Sequence, residues 1–210
     1  MFKKIIILFA CILALSQSAF SQESEPSDFG TWTFLHLNKS IGAKSYAFAR
    51  AELRTFNDAS ATETSFYIIG AGYKFTKWFG ANLGYEYWDL TGYSSKTDKV
   101  TLTCTASASK EGLGASWRQK FEYTMPRGGS THLTWRSLLR AQYKIPGGTG
   151  LTPYMAYEIF ASKKWERSLY YTGCEKSFGK FGSLDLFYMF HIVPSLYTEH
   201  VAGLGYIYSF

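Results

Sequence analysis

The 210-residue chain carries 22 Lys and Arg against 16 Asp and Glu, a formal charge of +6, and 19% of its residues are aromatic. The basic residues are spread over nearly every segment instead of forming one block, which excludes the electrostatic footprint of a nucleic-acid binder. No apolar run reaches the roughly 20 residues that a membrane-crossing helix needs, so a helical anchor is excluded too.

Met1 to Ser21 has the layout of a signal peptide, with Lys3 and Lys4, an apolar run from Ile5 to Leu15, and Ala19-Phe20-Ser21 ahead of Gln22. Cleavage after Ser21 would leave 189 of the 210 residues. Losing the two lysines takes the formal charge to about +4. Cys11 follows Leu8-Phe9-Ala10, a faint imitation of a lipoprotein box, but the apolar run continues past it and the cysteine reads as part of the discarded segment. That leaves Cys104 and Cys174, which lie on separate predicted strands and are expected to be free. No Cys or His spacing suggests a metal, and no cofactor is expected. Residues 22–29, rich in Ser, Glu and Pro, read as a short disordered lead-in, with one domain over 30–210.

The domain reads as a succession of two-sided strands of about 10 to 13 residues, close to the length of a tilted membrane strand. The first covers Thr31 to Leu37. The second sets Ala47, Ala49, Ala51 and Leu53 on one face and Arg50, Glu52 and Arg54 on the other. Three charges at alternate positions cannot all face lipid, where each costs roughly 2 to 4 kcal/mol at mid-depth, so that face must look into a barrel. Ser65 to Phe75 repeats the scheme with Tyr67, Ile69 and Tyr73 outward against Gly70 and Gly72. Phe79 to Trp88 follows, with Leu83 and Tyr85 outward and Asn82 and Glu86 inward.

A polar loop, Asp89 to Asp98, leads to Lys99–Ser107, in which Leu102 and Cys104 alternate with Thr101, Thr103 and Thr105. Ser116 to Thr124 sets Trp117, Phe121 and Tyr123 opposite Arg118, Lys120 and Glu122. Thr131 to Lys144 places Arg136, Arg140 and Lys144 inward. Pro153 to Ala161 turns Glu158 inward, and Arg167 to Glu175 and Gly182 to His191 follow, the latter with Asp185 inward. The closing strand, His200 to Phe210, puts Leu204, Tyr206, Tyr208 and Phe210 on an apolar face opposite Gly203 and Gly205. The fold class is therefore all-β: an antiparallel transmembrane β-barrel of about 10–12 strands. Eleven candidates are counted, but barrels of this kind have even numbers, so ten or twelve are expected.

Trp32-Thr33-Phe34, Glu52-Leu53-Arg54, Gly72-Tyr73, Gly84-Tyr85, Arg136…Arg140 and Pro153 with Glu158-Ile159-Phe160 resemble the domain of unknown function 2490. This is an uncharacterised family of exported β-barrel proteins found mainly in Bacteroidetes, and the likeness covers nearly the whole chain after the signal. It departs at Glu122-Tyr123-Thr124, where the family often shows Glu-His-Arg. The resemblance implies an outer-membrane barrel with no assigned activity.

The candidate functional set is the inward charge ladder. Its cations are Arg50, Arg54, Arg118, Lys120, Arg136, Arg140, Lys144 and Arg167; its anions are Glu52, Glu86, Glu122, Glu158, Asp185 and Glu199. Paired, these residues plug the lumen, each Arg fork meeting a carboxylate. Unpaired, they line a narrow passage that weakly prefers anions. A lipid-modifying hydrolase or acyltransferase is the third reading, with His36, His132, His191 and His200 as available bases, but no Gly-x-Ser-x-Gly elbow supports it and the chain reads as a non-enzyme. The partners expected are outer-membrane lipid and lipopolysaccharide, and the barrel-assembly machinery, whose signal the terminal Phe210 resembles. A monomer in the cell outer membrane is expected.

Overall fold

The structure is a computed structural model that describes residues 27–91, 95–162, 165–193 and 197–210. The expected signal peptide lies outside the described residues.

Eleven strands are formed among the described residues: β1 (Ser27–Ser40), β2 (Ser45–Phe56), β3 (Ala61–Lys74), β4 (Phe79–Leu90), β5 (Ser95–Lys110), β6 (Leu113–Pro126), β7 (His132–Tyr143), β8 (Leu151–Ala161), β9 (Trp165–Ser177), β10 (Ser183–Val193) and β11 (Tyr197–Ser209). Each pairs antiparallel with its sequence neighbour, and β1 pairs with β11 to close the barrel. The only helical element among the described strands and turns that spans three residues is a 3₁₀ turn at Gly179–Phe181. Alternation explains the architecture: each strand has an apolar or aromatic face and a polar or glycine face, and a closed sheet keeps one set outside and the other inside without leaving an edge.

The even strand count expected from the sequence does not hold. With an odd meander the first and last strands run in the same direction, and the closing pair is parallel, from Ser27 opposite Thr198 to Asn38 opposite Ser209. A parallel ladder satisfies the same backbone groups with slanted hydrogen bonds, so closure needs no twelfth strand. The backbone of Phe210 is tied into the seam as well, its N–H donating to the Asn38 carbonyl at 2.9 Å and its carbonyl accepting from Ser40 at 3.0 Å.

Strands run longer than the apolar alternation suggests. β1 begins at Ser27, inside the stretch read as a lead-in ending at residue 29. The stretch read as a polar loop at Asp89 to Asp98 is strand at both ends, because Asp89 and Leu90 continue the ladder opposite Lys96 and Ser95. Pairing is a backbone property and carries on past the point where side-chain polarity stops alternating.

The outward face is an apolar band. Ile69, Leu83, Leu102, Leu139, Leu186 and Leu204 are all exposed there, together with Trp117, Tyr67 and Phe121. Inside, one half of the barrel is solid: Trp32, Phe160, Leu169, Met189 and Val201 form a buried cluster with Tyr171 and Phe187 packed against it. Cys104 and Cys174 are free.

Candidate functional site: the barrel lumen

Alternation sends Arg50, Glu52 and Arg54 into the lumen from β2, and the three close on one another. Arg50 donates two hydrogen bonds to Glu52, one of them at 2.9 Å, and Arg54 donates to its other carboxylate oxygen at 2.7 Å. The guanidinium of Arg54 also lies 3.6 Å from the centre of the Trp32 ring, which ties the charged side of the lumen to the apolar cluster.

Opposite stands a longer network carried by β4, β6, β7 and β8. Lys120 bridges Glu86 at 2.6 Å and Glu122 at 2.7 Å. Arg136 bridges Glu122 at 2.7 Å and Glu158 at 3.0 Å. Arg118 reaches Glu158 at 2.8 Å. The network is further satisfied by the Trp88 indole, which donates to Glu86 at 2.9 Å, and by the Tyr171 hydroxyl, which donates to Glu158 at 3.2 Å. Glu86, Glu122 and Glu158 are all buried. Burying charges is costly, and the remedy is visible: each carboxylate receives donors on both oxygens or from two cations.

The ladder read from the sequence is thus brought together in large part. Three members fall elsewhere. Asp185 accepts from the Tyr154 hydroxyl at 2.9 Å, where a cation was expected. Glu199 pairs with His191 at 2.9 Å. Lys144, expected inside, is exposed at the rim beyond the end of β7, where its N–H donates to the Gly112 carbonyl. Arg167 lies 4.3 Å from the Phe160 ring centre, beside Arg136 at 4.1 Å from the same ring. Two partners escaped the sequence reading: Lys99, 3.5 Å from Glu122, and Glu175, 3.8 Å from Arg140. Their inward phase could have been counted from Thr101 and from Tyr171 by steps of two.

The other half of the lumen is open. A cavity of about 480 Å³ lies there, with Phe34, Phe48, Tyr46, Tyr154 and Phe187 among its lining residues. Each of these rings faces a glycine directly across the neighbouring strand: Phe34 and Gly205, Phe48 and Gly70, Tyr46 and Gly72, Tyr154 and Gly173, Phe187 and Gly203. A Cβ on any of these glycines would stand within 2.0 to 2.7 Å of the opposed ring, or closer at Gly203. The rings therefore lie flat on the wall instead of filling the bore, and this leaves a vestibule above the charged network. The inward glycines signal close approach of another group, which the sequence shows only as a small face.

His36 bonds to Asn38 at 3.0 Å and His200 to Tyr188 at 2.6 Å. Among the described residues no group of three His, Cys, Asp or Glu side chains is placed to hold a metal ion.

Known proteins place the chain at the level of fold and family. A solved structure titled "NanC porin structure in rhombohedral crystal form" superposes with a TM-score of 0.52 at 10% identity, covering 80% of this chain and 90% of that one. At that identity the likeness is one of fold. No curated protein matches the chain. A family model described as "Protein of unknown function (DUF2490)" matches residues 29–198, which is most of the barrel. The resemblance carried by Glu52-Leu53-Arg54 and Glu158-Ile159-Phe160 is thus one of kinship, and the chain belongs to the DUF2490 family of unknown function.

Proposed function

We propose that this protein is an outer-membrane β-barrel whose lumen is closed by its own salt bridges, so that it offers the membrane a blind vestibule and not a through-channel. The observation that carries the reading is Glu158. Its carboxylate is fully buried inside the barrel and is held by Arg118, Arg136 and Tyr171 at once. A bore wide enough to pass a hydrated solute would leave such a group wet. The solid cluster around Met189 and Val201 fills the adjoining part of the lumen.

Membrane placement is supported by the outward band: contiguous exposed apolar surface of this extent belongs against lipid. The connections between the described strands are short, the longest being 144–150. Outer-membrane lipid and lipopolysaccharide are then the surroundings of a monomeric barrel. The Phe210 end of the closing strand would be the part that the assembly machinery reads. The fold likeness to a porin does not by itself carry conduction.

Conductance of the refolded protein in a planar bilayer tests the closed lumen. A flat baseline at moderate voltage is expected. Stable ohmic steps from single molecules would replace the plug with a hydrated channel.

A further inference from the structure

The vestibule shows its cations and hides its anions. Arg118 is 35% exposed in its side chain while its partner Glu158 is 1% exposed, and Arg50 is 28% exposed over a Glu52 at 2%. The carboxylates sit behind the guanidinium groups, so a molecule entering the cavity meets positive charge first. Arg140 is freer still. Of its carboxylate neighbours, Glu175 is 3.8 Å away, beyond hydrogen-bond reach, and Asp185 is engaged by the Tyr154 hydroxyl, on whose ring the Arg140 guanidinium is stacked at 3.8 Å from the centre.

Arg118 and Arg140 are neighbours. In the β6–β7 register Arg118 stands opposite Leu138 and Arg140 opposite Ser116, so the two point inward as a diagonal pair. Like charges on neighbouring inward positions repel, and while Arg118 is relieved by Glu158 at 2.8 Å, Arg140 comes no closer than 3.8 Å to Glu175. Hydroxyl groups complete the surroundings: Thr105 is the cross-strand partner of Arg118, and Ser116 is that of Arg140. All four residues line the cavity. Across the cavity lie the rings of Phe34, Phe48 and Phe187, held against their glycines, with the Arg50 guanidinium 3.8 Å from the centre of the Phe34 ring.

From this juxtaposition we propose that the vestibule is a binding site for a small carboxylate carried on a ring, the carboxylate received by the Arg118 and Arg140 guanidinium groups with Thr105 and Ser116, and the ring laid on the aromatic wall. A guanidinium fork matches a carboxylate in geometry as well as charge. Flat aromatic faces favour a flat apolar face, whether of an aromatic ring or of the C–H side of a sugar ring. A neutral sugar offers the second contact without the first. An inorganic anion offers the first without the second. The inference goes beyond the closed-lumen reading, because equilibrium binding is read whether or not ions pass. A conducting barrel would overturn that reading and leave this one standing.

Titration calorimetry on the refolded full barrel in detergent micelles provides the test, with benzoate, glucuronate, glucose and inorganic phosphate as probes. One-to-one binding of benzoate, glucuronate or both is expected, weakened by salt, with glucose and phosphate at least about tenfold weaker. Benzoate alone would assign an aromatic acid, and glucuronate alone a sugar acid. Arg140→Gln and Arg118→Gln should each weaken the active probe by about tenfold or more. Because Arg118 also holds Glu158, Arg140→Gln is the decisive variant; Ala156→Phe, which fills the cavity opposite Arg140 in the β7–β8 register without removing charge, is the second. Heat-modifiable gel migration verifies that each variant folds. No binding of either ring acid, binding unchanged in both Arg140→Gln and Ala156→Phe, or glucose bound as tightly as glucuronate would each overturn the proposal.

Discussion

The ring of Phe187 lies directly over Gly203, its cross-strand partner between β10 and β11, so closely that a Cβ on the glycine would stand 1.9 Å from the ring. Gly203→Ala must therefore push the ring off the wall and into the vestibule. We expect a loss of about 1 to 3 kcal/mol in the urea unfolding free energy of the refolded protein, the usual cost of overpacking. Phe187→Ala in the same chain should remove most of that penalty. Additive losses in the double variant would show that the ring and the glycine do not share one space.

Glu158→Ala strips the carboxylate from two arginines in a closed interior. The loss expected is about 3 to 5 kcal/mol, because Arg118 loses its carboxylate and the buried Arg136 keeps only Glu122. Glu52→Ala, which strands Arg50 and Arg54, should behave alike. Asp98→Ala, which breaks an exposed pair with Arg127 at 3.1 Å, should cost no more than about 1 kcal/mol. Equal losses at Glu158 and Asp98 in chemical unfolding would contradict the plug.

Ala49 faces outward from β2, opposite Leu37 and Ile69. Ala49→Arg puts a charge against lipid and should cost roughly 2 to 4 kcal/mol if the residue lies near mid-depth, while Ala49→Leu should stay near the parent. Unfolding midpoints in lipid vesicles measure both. An Ala49→Arg protein as stable as the parent would mean that this face is not against hydrocarbon.

Much of this was legible in the chain. The facing of Arg50, Glu52, Arg54, Glu158 and Asp185 follows from period-two counting, since a residue's side of a sheet is set locally. Which charge meets which is not local. Arg118 finds Glu158 across the intervening strand β7, and Lys120 finds Glu86 across β5, so these pairings depend on strand tilt and register. Asp185 went astray for the same reason: the group that reaches it, Tyr154, sits on β8, two strands away. The parallel seam was hidden by an expectation of even strand counts and not by any ambiguity in the residues themselves.

At the opposite rim, Asn57, Asp58 and Ala59 have φ of 55°, 54° and 59°, a left-handed turn built without glycine. Such a conformation costs roughly 1 to 2 kcal/mol per residue. Asp28 holds it, its carboxylate accepting from the N–H groups of Asn57 at 2.8 Å and Asp58 at 3.0 Å. Asp28→Ala should therefore speed amide exchange at Asn57 and Asp58, and Ala59→Gly should raise stability by up to about 1 kcal/mol. Unchanged exchange in Asp28→Ala would remove the carboxylate from this role.

Removal of Phe210 should lower the amount of assembled barrel in outer-membrane fractions, since its N–H and carbonyl fasten the end of the closing strand to Asn38 and Ser40. Quantifying the heat-modifiable band measures this. Undiminished assembly would leave the terminal aromatic without a part in closure.

The parallel pairing of β1 with β11 also sets an order of events. Every other ladder joins strands that follow one another and can zip as each hairpin forms, but the contact of Thr33 with Leu204 joins the two ends of the sequence and must wait for all the rest. Until then the backbone groups of β1 on that side have no partner, and an exposed strand edge is a template for any other chain. The interval before the ring closes is thus the hazardous part of this protein's life, and its length is set by how long the last strand takes to arrive.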